Sequence, residues 1–424
     1  MPEIKKRPKI FYGWWVVAAS AAIMFYVAGI INQGFTAVFQ PIVDEFGWTY
    51  TQVSGGAMLR SLEVGLLAPL VGYLVDRWGS RKLVLGGVIL VSLGLFSLSR
   101  INSLTTFYLS VILVAIGMSS CVGTAFLPTV TNWFRKRVGT AMGLAAVGGG
   151  LGGLTVPIVT LLVDNFGWRD ALFYLSISVL VVGLPLAMLL RHKPEQYGYL
   201  PDGEVLGIGN KSVFTPVSSL PVITAGQVLK TRIFWQLSIA SICFTGVTGA
   251  IMTHIMPYLS SVGISRTFSS ILVLMLSVVN VMGRFGSGWL ADKFSTQRVY
   301  VVVLILMSMG TLAFAYIVPG SILLIVIFVI FYGLGQAGSQ TLRTVILRKY
   351  FSSGKFGTIL GVADMMMMLG QFGVLIAGWA FDVWDTYRGI WIIYAGLILV
   401  GIALIATTPK TVKIKEPESP AMTQ

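Results

Sequence analysis

Charged residues are scarce in this sequence. Asp, Glu, Lys and Arg make up only 11% of its 424 residues, whereas a soluble domain typically carries about 25%. There are also only two cysteines, Cys121 and Cys243, and both fall within apolar segments. Their placement excludes a disulfide framework. No nucleophile–base pair or metal-ligand set emerges, so we expect neither an enzyme nor a protein with a resident cofactor or metal.

What the sequence has in abundance is apolar residues, 55% of the total. Runs of about 20 such residues are long enough to cross a bilayer as helices. Twelve runs recur, at 13–38, 52–75, 83–101, 105–131, 138–161, 168–190, 233–257, 267–290, 298–318, 321–346, 357–381 and 389–408. The sequence therefore predicts an all-α polytopic membrane protein with 12 transmembrane helices, whose partner is the lipid bilayer.

The formal net charge of +14 first suggests nucleic-acid binding. If both termini are cytoplasmic, however, most Lys and Arg residues fall in the inner loops and tails. The outer loops then hold only Arg100, Arg169, Arg266 and Arg388. This asymmetry follows the positive-inside rule, so the basic excess sets orientation and we expect no nucleic-acid partner.

The chain repeats itself at an offset of roughly 217 residues. GYLVDRWGSRK (72–82) matches GWLADKFSTQR (288–298), and DNFGWRDALFYL (164–175) is echoed by DVWDTYRGIWIIY (382–394). We therefore predict two six-helix halves, with a composition shift typical of a linker between them. The predicted boundaries are 1–190 for the N-terminal half, 191–230 for a cytoplasmic linker, and 231–424 for the C-terminal half with a short tail.

The G-x-L-x-D-[RK] loop after the second and eighth helices resembles the signature of the major facilitator superfamily. The resemblance implies that superfamily's fold and a conformational latch, carried here by Asp76, Arg77, Arg81, Asp292 and Lys293. An Asp near helix-end N–H groups and basic residues suits that task.

A narrower resemblance rests on YGWWVV in the first helix, VFQPIVDEFGW after it, HIMPYLSSVGIS (254–265), and an Arg late in the eighth helix. These stretches are similar to monocarboxylate transporters and to oxalate–formate antiporters. The resemblance implies that Arg284 binds the substrate anion; the alternative is that it pairs with a structural acid. Asn280 lies one turn before it on the same face, and the two offer the donors that a carboxylate needs.

Two departures from these families bear on proton coupling. Asn280 stands where the monocarboxylate transporters usually have an Asp, and Asn32 or Gln33 stands near their helix-one Lys. Asp364 occupies a position where the antiporters would carry a second cation, and its depth matches that of Arg284. We expect Asp364 either to carry the proton or to act as a static counter-ion of Arg284.

Other polar residues in the predicted helices have two interpretations each. His254 either gates or senses protons, or it lies at a solvated helix end. Arg60 and Glu63 are predicted to pair structurally, and Arg343 to reach the inner surface. The helix-ten residues Tyr332, Gln336 and Gln340 either line the cavity or form a helix contact.

The glycine-rich stretch GGGLGGL (148–154) on the fifth helix is predicted to allow close helix approach.

These residues lead to one preferred function and several alternatives. We predict a proton-coupled symporter of a short monocarboxylate such as L-lactate or pyruvate, working by alternating access in the cytoplasmic (inner) membrane. Arg284 and Asn280 would hold the carboxylate, with Tyr332, Gln336 and Asn32 beside it, while Asp364 and His254 couple the proton. The alternatives are carboxylate antiport of the oxalate–formate type, a sensor with the same fold, and multidrug efflux. We expect a single chain to suffice.

Overall fold

The computed structural model describes residues 11–121, 123–134, 138–191, 194, 228–351 and 356–408. Within these ranges the chain is helical and contains no strand. Helices suit a segment inside hydrocarbon, because each backbone N–H and C=O is satisfied within the segment itself. The predicted linker, 191–230, lies almost wholly outside the described residues, and the boundaries proposed for it stay predictions.

Twelve helical segments, α1–α12, coincide with the twelve predicted spans, and this confirms the predicted fold class. The first six are α1 (Tyr12–Ala28 and Phe35–Phe46, joined by a π-helical turn at Gly29–Gln33), α2 (Tyr50–Trp78), α3 (Ser80–Ser99), α4 (Leu104–Ser119 and Gly123–Trp133), α5 (Val138–Gly150, a 3₁₀ turn at Leu151–Thr155, and the start of the run Val156–Leu189) and α6 (the rest of that run). Gly167 separates α5 from α6, since its φ of 77° is one that glycine adopts without strain.

The second six segments complete the bundle. They are α7 (Arg232–Ser261), α8 (Arg266–Lys293), α9 (Thr296–Ala315), α10 (Ile322–Ile327, a π-helical turn at Phe328–Tyr332, and Gly333–Tyr350), α11 (Phe356–Met367, a 3₁₀ turn at Met368–Gln371, and Phe372–Trp384) and α12 (Arg388–Ala406). We call α1–α6 the N-terminal half and α7–α12 the C-terminal half.

Not every segment has the length and composition of a membrane span when only the described residues are searched. Nine helical runs do, and one of them, Ala141–Leu189, contains both α5 and α6. Leu104–Ser119 in α4 is apolar but shorter. The remaining segment, α2, carries Arg60 and Glu63, which lower its hydropathy.

Equivalent helices pack against each other in both halves. In the N-terminal half α3 packs on α6, α2 on α4 and α1 on α5; in the C-terminal half α9 packs on α12, α8 on α10 and α7 on α11. The halves meet along α2 with α11, α5 with α8, and α1 with α7. Adding six to each helix number converts the first set of pairs into the second, which is the packing expected of two pseudo-repeats.

Candidate functional site

A polar cavity lies between the two halves and contains Arg284. Its volume is about 170 Å³. The N-terminal half contributes residues from α1 and α5, and the C-terminal half contributes residues from α7, α8 and α10. The full lining is Gln33, Gly149, Gly150, Met252, Leu276, Ser277, Asn280, Arg284, Gln336 and Gln340.

Arg284 is held by a short chain of amides. Its Nε donates to Asn280 Oδ1 at 3.0 Å, one helical turn away, and Asn280 Nδ2 donates to Gln336 Oε1 at 3.2 Å. No acidic side chain among the described residues lies within salt-bridge distance of Arg284. Its two terminal nitrogens therefore keep their donors, in the planar geometry that binds a carboxylate through two bonds.

The glycines of α5 let this helix approach both α1 of its own half and α8 of the opposite half. A Cβ on Gly148 would lie 2.0 Å from the Ala21 carbonyl oxygen, and one on Gly153 would lie 1.9 Å from Ser277 Oγ. Only a residue without a side chain fits those positions. A Cβ on Gly150 would instead meet the Arg284 guanidinium at an ordinary 3.9 Å. The glycine stretch therefore packs α5 against α1 and α8, as predicted, and leaves open space beside the guanidinium.

Two residues predicted at the substrate site lie elsewhere. Tyr332 is fully buried inside the C-terminal half, where its ring stacks on Phe328 at 5.3 Å and its backbone and Cβ lie against Gly310 of α9. Gln336 and Gln340 do line the cavity. Each four-residue step turns about 40° around a helix of 3.6 residues per turn, so equal spacing does not keep all three side chains on one face. On α1 it is Gln33, and not Asn32, that lines the cavity.

Asp364 does not contact Arg284. Its carboxylate pairs with Arg343, and the two form a salt bridge between α11 and α10. The prediction that Asp364 is the counter-ion of Arg284 is therefore wrong. The prediction that Arg343 reaches the inner surface is also wrong, because its side chain is only 8% exposed, whereas that of Asp364 is 55% exposed. The sequence places Asp364 and Arg284 at a similar depth in the membrane. The rotation of each helix about its own axis, however, determines which side chains meet.

Arg60 and Glu63 are not paired with each other, contrary to prediction. Arg60 donates from Nη1 to the Ile31 carbonyl oxygen at 2.6 Å, and its guanidinium lies over the Phe35 ring at 5.3 Å. It borders a smaller apolar cavity of about 30 Å³ inside the N-terminal half. Arg60 is thus tied to α1 and not to its neighbour on α2.

The two halves are tied together at one end of the bundle, which we call the closed end and which carries the turns at 47–49, 262–265 and 385–387. Asp382 at the end of α11 accepts hydrogen bonds from the backbone N–H groups of Tyr50 and Thr51, both at 2.8 Å, and from the Thr51 hydroxyl. Thr49 caps the next N–H, that of Gln52. The first turn of α2 is therefore capped largely by the opposite half.

A second contact repeats this arrangement with the halves exchanged. Arg266 at the start of α8 donates to Asp164 Oδ1 at 2.9 Å, and to the Ala37 carbonyl oxygen at 2.8 Å. Asp164 and Asp382 occupy equivalent positions in the sequence repeat, as do the first residues of α8 and α2. Between described residues, every hydrogen bond that joins the halves lies at this end.

His254 is part of the closed end and not a solvated helix terminus, because it is fully buried. Its Nε2 lies 3.1 Å from both the Val374 carbonyl oxygen and Ser54 Oγ. A carbonyl oxygen can only accept, so Nε2 carries the proton and Nδ1 accepts from the Tyr387 hydroxyl at 2.8 Å. The ring also packs against Phe39 of α1 at 5.2 Å. The imidazole thus joins α7 to α2, α11 and α1.

The predicted latch falls partly outside the described side chains, which include neither Asp76 nor Asp292. Arg77 and Arg81 are exposed near the turn between α2 and α3. Lys293 is also exposed, and its Nζ lies 4.0 Å from the Trp289 ring centroid. The latch stays a prediction.

Within the described part of the chain, no three His, Cys, Asp or Glu residues gather as a metal site would require.

Sequence reasoning missed the contacts at the closed end. Asp164 and Asp382 occupy the same position in the repeated stretches DNFGW and DVWDT. This repetition was a signal that both aspartates have the same structural role, a contact with the opposite half. Arg266 was counted only as an outer-loop charge. Nothing in the sequence indicated that the partner of Asp382 would be the backbone of α2.

Twelve helices in two repeated halves around a polar cavity are the architecture of a membrane transporter. The family model of the Major Facilitator Superfamily matches residues 14–372 and 257–422. The chain belongs to the major facilitator superfamily.

Among its relatives are monocarboxylate transporter 12 of Rattus norvegicus, 24% identical over 93% of this chain and 84% of the relative, and monocarboxylate transporter 11 of Mus musculus, 26% identical over 94% and 88%. The fujikurins efflux protein of Gibberella fujikuroi is 24% identical over 94% and 84%.

Solved structures support the fold alone. The nucleoside transporter NupG superposes with a TM-score of 0.74 at 13% identity, covering 94% of this chain and 99% of that one. A bacterial homolog to the human lysosomal transporter Spinster, in an inward-facing and unoccupied conformation, gives 0.71 at 17% identity over 94% and 95%.

Proposed function

We propose that this protein is a proton-coupled symporter of a short monocarboxylate, with L-lactate and pyruvate as the first substrates to test. The observation that carries the proposal is the Arg284 guanidinium, which lines a cavity between the halves and whose two terminal nitrogens make no hydrogen bond to another described residue. A cation in a membrane interior costs at least about 2.5–3.5 kcal/mol, and binding an anion gives that cost a purpose. The monocarboxylate transporters among the relatives support the same substrate class.

The single unpaired cation that the described residues place in the cavity, Arg284, matches a substrate that carries a single carboxylate. Arg343 is buried in the C-terminal half and already pairs with Asp364. Arg284 is then the one unpaired cation among the described residues that line the cavity. A dicarboxylate such as oxalate would bring a second negative charge without a matching partner, which favours monocarboxylate transport over antiport of the oxalate–formate type.

Coupling to a proton follows from the electrical work of moving an anion. Carrying one negative charge against an interior-negative potential costs about 2.3 kcal/mol per 100 mV, and a co-transported proton removes that term. In our scheme Arg284 and Asn280 bind the carboxylate. Asp364 is the proposed proton acceptor, with Arg343 as the partner it would release on protonation. His254 holds the closed end shut while the opposite end is accessible.

The proposal places the protein in the cytoplasmic membrane, with the closed end facing outward and a single chain sufficient for transport. Alternating access would open the closed end by separating α2 from α11 and α5 from α8. The latch loops at the other end would then come together.

Uptake of labelled L-lactate or pyruvate into proteoliposomes tests the proposal. An inward proton gradient is imposed with the membrane potential clamped at zero, and Arg284→Ala is run beside the unmodified protein. Arg284→Lys is the matched control, because it keeps the charge but loses the paired donors. We expect gradient-driven uptake that Ala abolishes and Lys reduces. Exchange with preloaded formate or oxalate, without gradient-driven uptake, would establish the antiporter instead.

A further inference from the structure

We propose that the cavity selects carboxylates whose tails carry hydroxyl groups over carboxylates with plain alkyl tails. This inference rests on the proposed function, since it takes Arg284 to hold the carboxylate. It concerns what surrounds the rest of the substrate. The chemical class it names is the short hydroxylated monocarboxylate, with L-glycerate preferred to L-lactate and L-lactate preferred to propionate.

The lining of the cavity is the first support. Only Met252 and Leu276 contribute apolar side chains, whereas six lining residues are polar and two are glycines. Ligand cavities are more often lined by apolar and aromatic side chains with a few polar groups. An alkyl tail here would displace water from amides without bonding to them, which costs free energy.

The pattern of hydrogen bonds is the second support. Asn280 uses both ends of its amide, one toward Arg284 and one toward Gln336. Gln336 keeps its NH₂ group, while the side chains of Gln33 and Gln340 make no hydrogen bond to another described residue. Each free glutamine amide offers both a donor and an acceptor. A hydroxyl group both donates and accepts, so it can pair with them as an alkyl group cannot.

The placement of these amides assigns them different tasks. Asn280 and Gln336 orient the guanidinium and belong to the carboxylate end. Gln33 comes from α1, on the opposite half, and Gln340 lies one turn beyond Gln336 on α10. The two therefore face the cavity from both sides of the interface, and we assign them to the tail of the substrate.

The size of the cavity agrees with a small acid. A cavity of about 150 Å³ holds benzene, a ligand of about six heavy atoms. The volume here, about 170 Å³, suits a three-carbon acid with one or two hydroxyl groups. Propionate, L-lactate and L-glycerate share a three-carbon frame, and the two hydroxy acids have the same configuration at C2. They differ by one hydroxyl at each step, so they separate polarity from size.

Ligand-induced stabilisation of the purified protein tests the inference. The thermal unfolding temperature is measured against the concentration of each acid, because a ligand that binds only the folded state raises it. One net hydrogen bond corresponds to about a two- to twelve-fold change in affinity. We expect affinity to rise by about that factor from propionate to L-lactate and again to L-glycerate.

Variants of the two assigned glutamines test which residues are responsible. Gln33→Met and Gln340→Met keep the side-chain length and remove the amide. Each should reduce the preference for L-glycerate over propionate by about two- to twelve-fold, because one net hydrogen bond to the tail is lost. Gln236→Met is the matched control, since Gln236 bonds to Thr407 away from the cavity, and its preference should equal that of the unmodified protein.

The outcomes separate this inference from the proposed function. If propionate binds as tightly as L-glycerate and Arg284→Ala abolishes both, the carboxylate site stands and the tail selectivity is refuted. If the acids stabilise the protein equally with and without Arg284, the proposed function itself is refuted. If the graded order holds but persists in both glutamine variants, the assignment to Gln33 and Gln340 is overturned.

Discussion

Replacing Asp382 with Ala removes a carboxylate that reaches from one half of the protein to the other. In the closed state this side chain accepts the N–H groups of Tyr50 and Thr51. We expect Asp382→Ala to leave the fold of each half intact and to open the closed end more often, because its main contact is made only while the halves touch at that end.

The magnitude follows from what the carboxylate does. Losing a side-chain helix cap costs about 0.5–2 kcal/mol, and losing an anion from a helix N-terminus costs about 0.3–1 kcal/mol. Both values are screened here because Asp382 is exposed, and the freed N–H groups of α2 would bond water. We expect a shift of about 1–2 kcal/mol in the balance between closed and open, which is about five- to thirty-fold in the open population.

A buried cysteine reports that population. Thr36 is 1% exposed, and its hydroxyl accepts the Met256 N–H of α7 at 3.2 Å. Thr36→Cys, in a background with Cys121 and Cys243 replaced by Ala, places a thiol that reacts only when the closed end opens. Its rate of modification by a membrane-impermeant maleimide should rise about five- to thirty-fold in the Asp382→Ala protein, since the rate follows the open fraction.

Two further variants make the result specific. Asp382→Asn keeps an acceptor but loses the charge, so its rate should fall between those of the unmodified and Ala proteins. Asp170→Ala removes an exposed carboxylate that has no contact with the opposite half among the described residues, and it should change nothing. A rate for Asp382→Ala within two-fold of that control would refute the reasoning.

Three other substitutions have definite expected outcomes. Asp364→Asn leaves the buried Arg343 without its counter-ion and should lower the unfolding temperature. Adding Arg343→Gln to this variant should restore most of the lost unfolding temperature. Gly148→Val should lower the free energy of unfolding by about 1–3 kcal/mol or prevent α5 from packing on α1. Gly149→Ala should be tolerated in the same measurement, because its Cβ would have its nearest neighbour at 3.4 Å. His254→Phe keeps an aromatic ring but loses the Nε2 bond to Ser54 of the opposite half, so the cysteine reporter should react about two- to twelve-fold faster. An unchanged rate would refute the role of His254 in holding the closed end.

The overall fold could be predicted because hydrocarbon imposes a strong and simple constraint. Apolar runs of span length and the repeat at an offset of about 217 each carry the information along the chain. No contact between distant residues is needed to use them. The twelve predicted spans therefore coincide with the helices that the structure describes.

The partners of polar residues could not be predicted in the same way. In a helix that is apolar all round, hydrophobic periodicity does not show which face points inward. Asp364 and Arg284 were placed at the same depth, but the rotation of α10 and α11 brings Asp364 to Arg343 instead. Gln336 lines the cavity, whereas Tyr332 one turn earlier packs against Gly310 of α9, and four-residue spacing alone does not distinguish the two.

The π-helical turn in α1 has a consequence for comparing this chain with others. At Gly29–Gln33 the Gly34 N–H bonds to the carbonyl of Gly29, five residues earlier. Such a turn accommodates one residue more than a regular helical turn. In a chain without this turn, the side chains that follow it in α1 would be rotated by about 100° about the helix axis relative to the side chains that precede it. Alignments across this helix consequently require a one-residue gap whenever the turn is absent. Without that gap, the residue placed opposite Gln33 would belong to a different face of the helix, and a change of cavity chemistry would pass unnoticed.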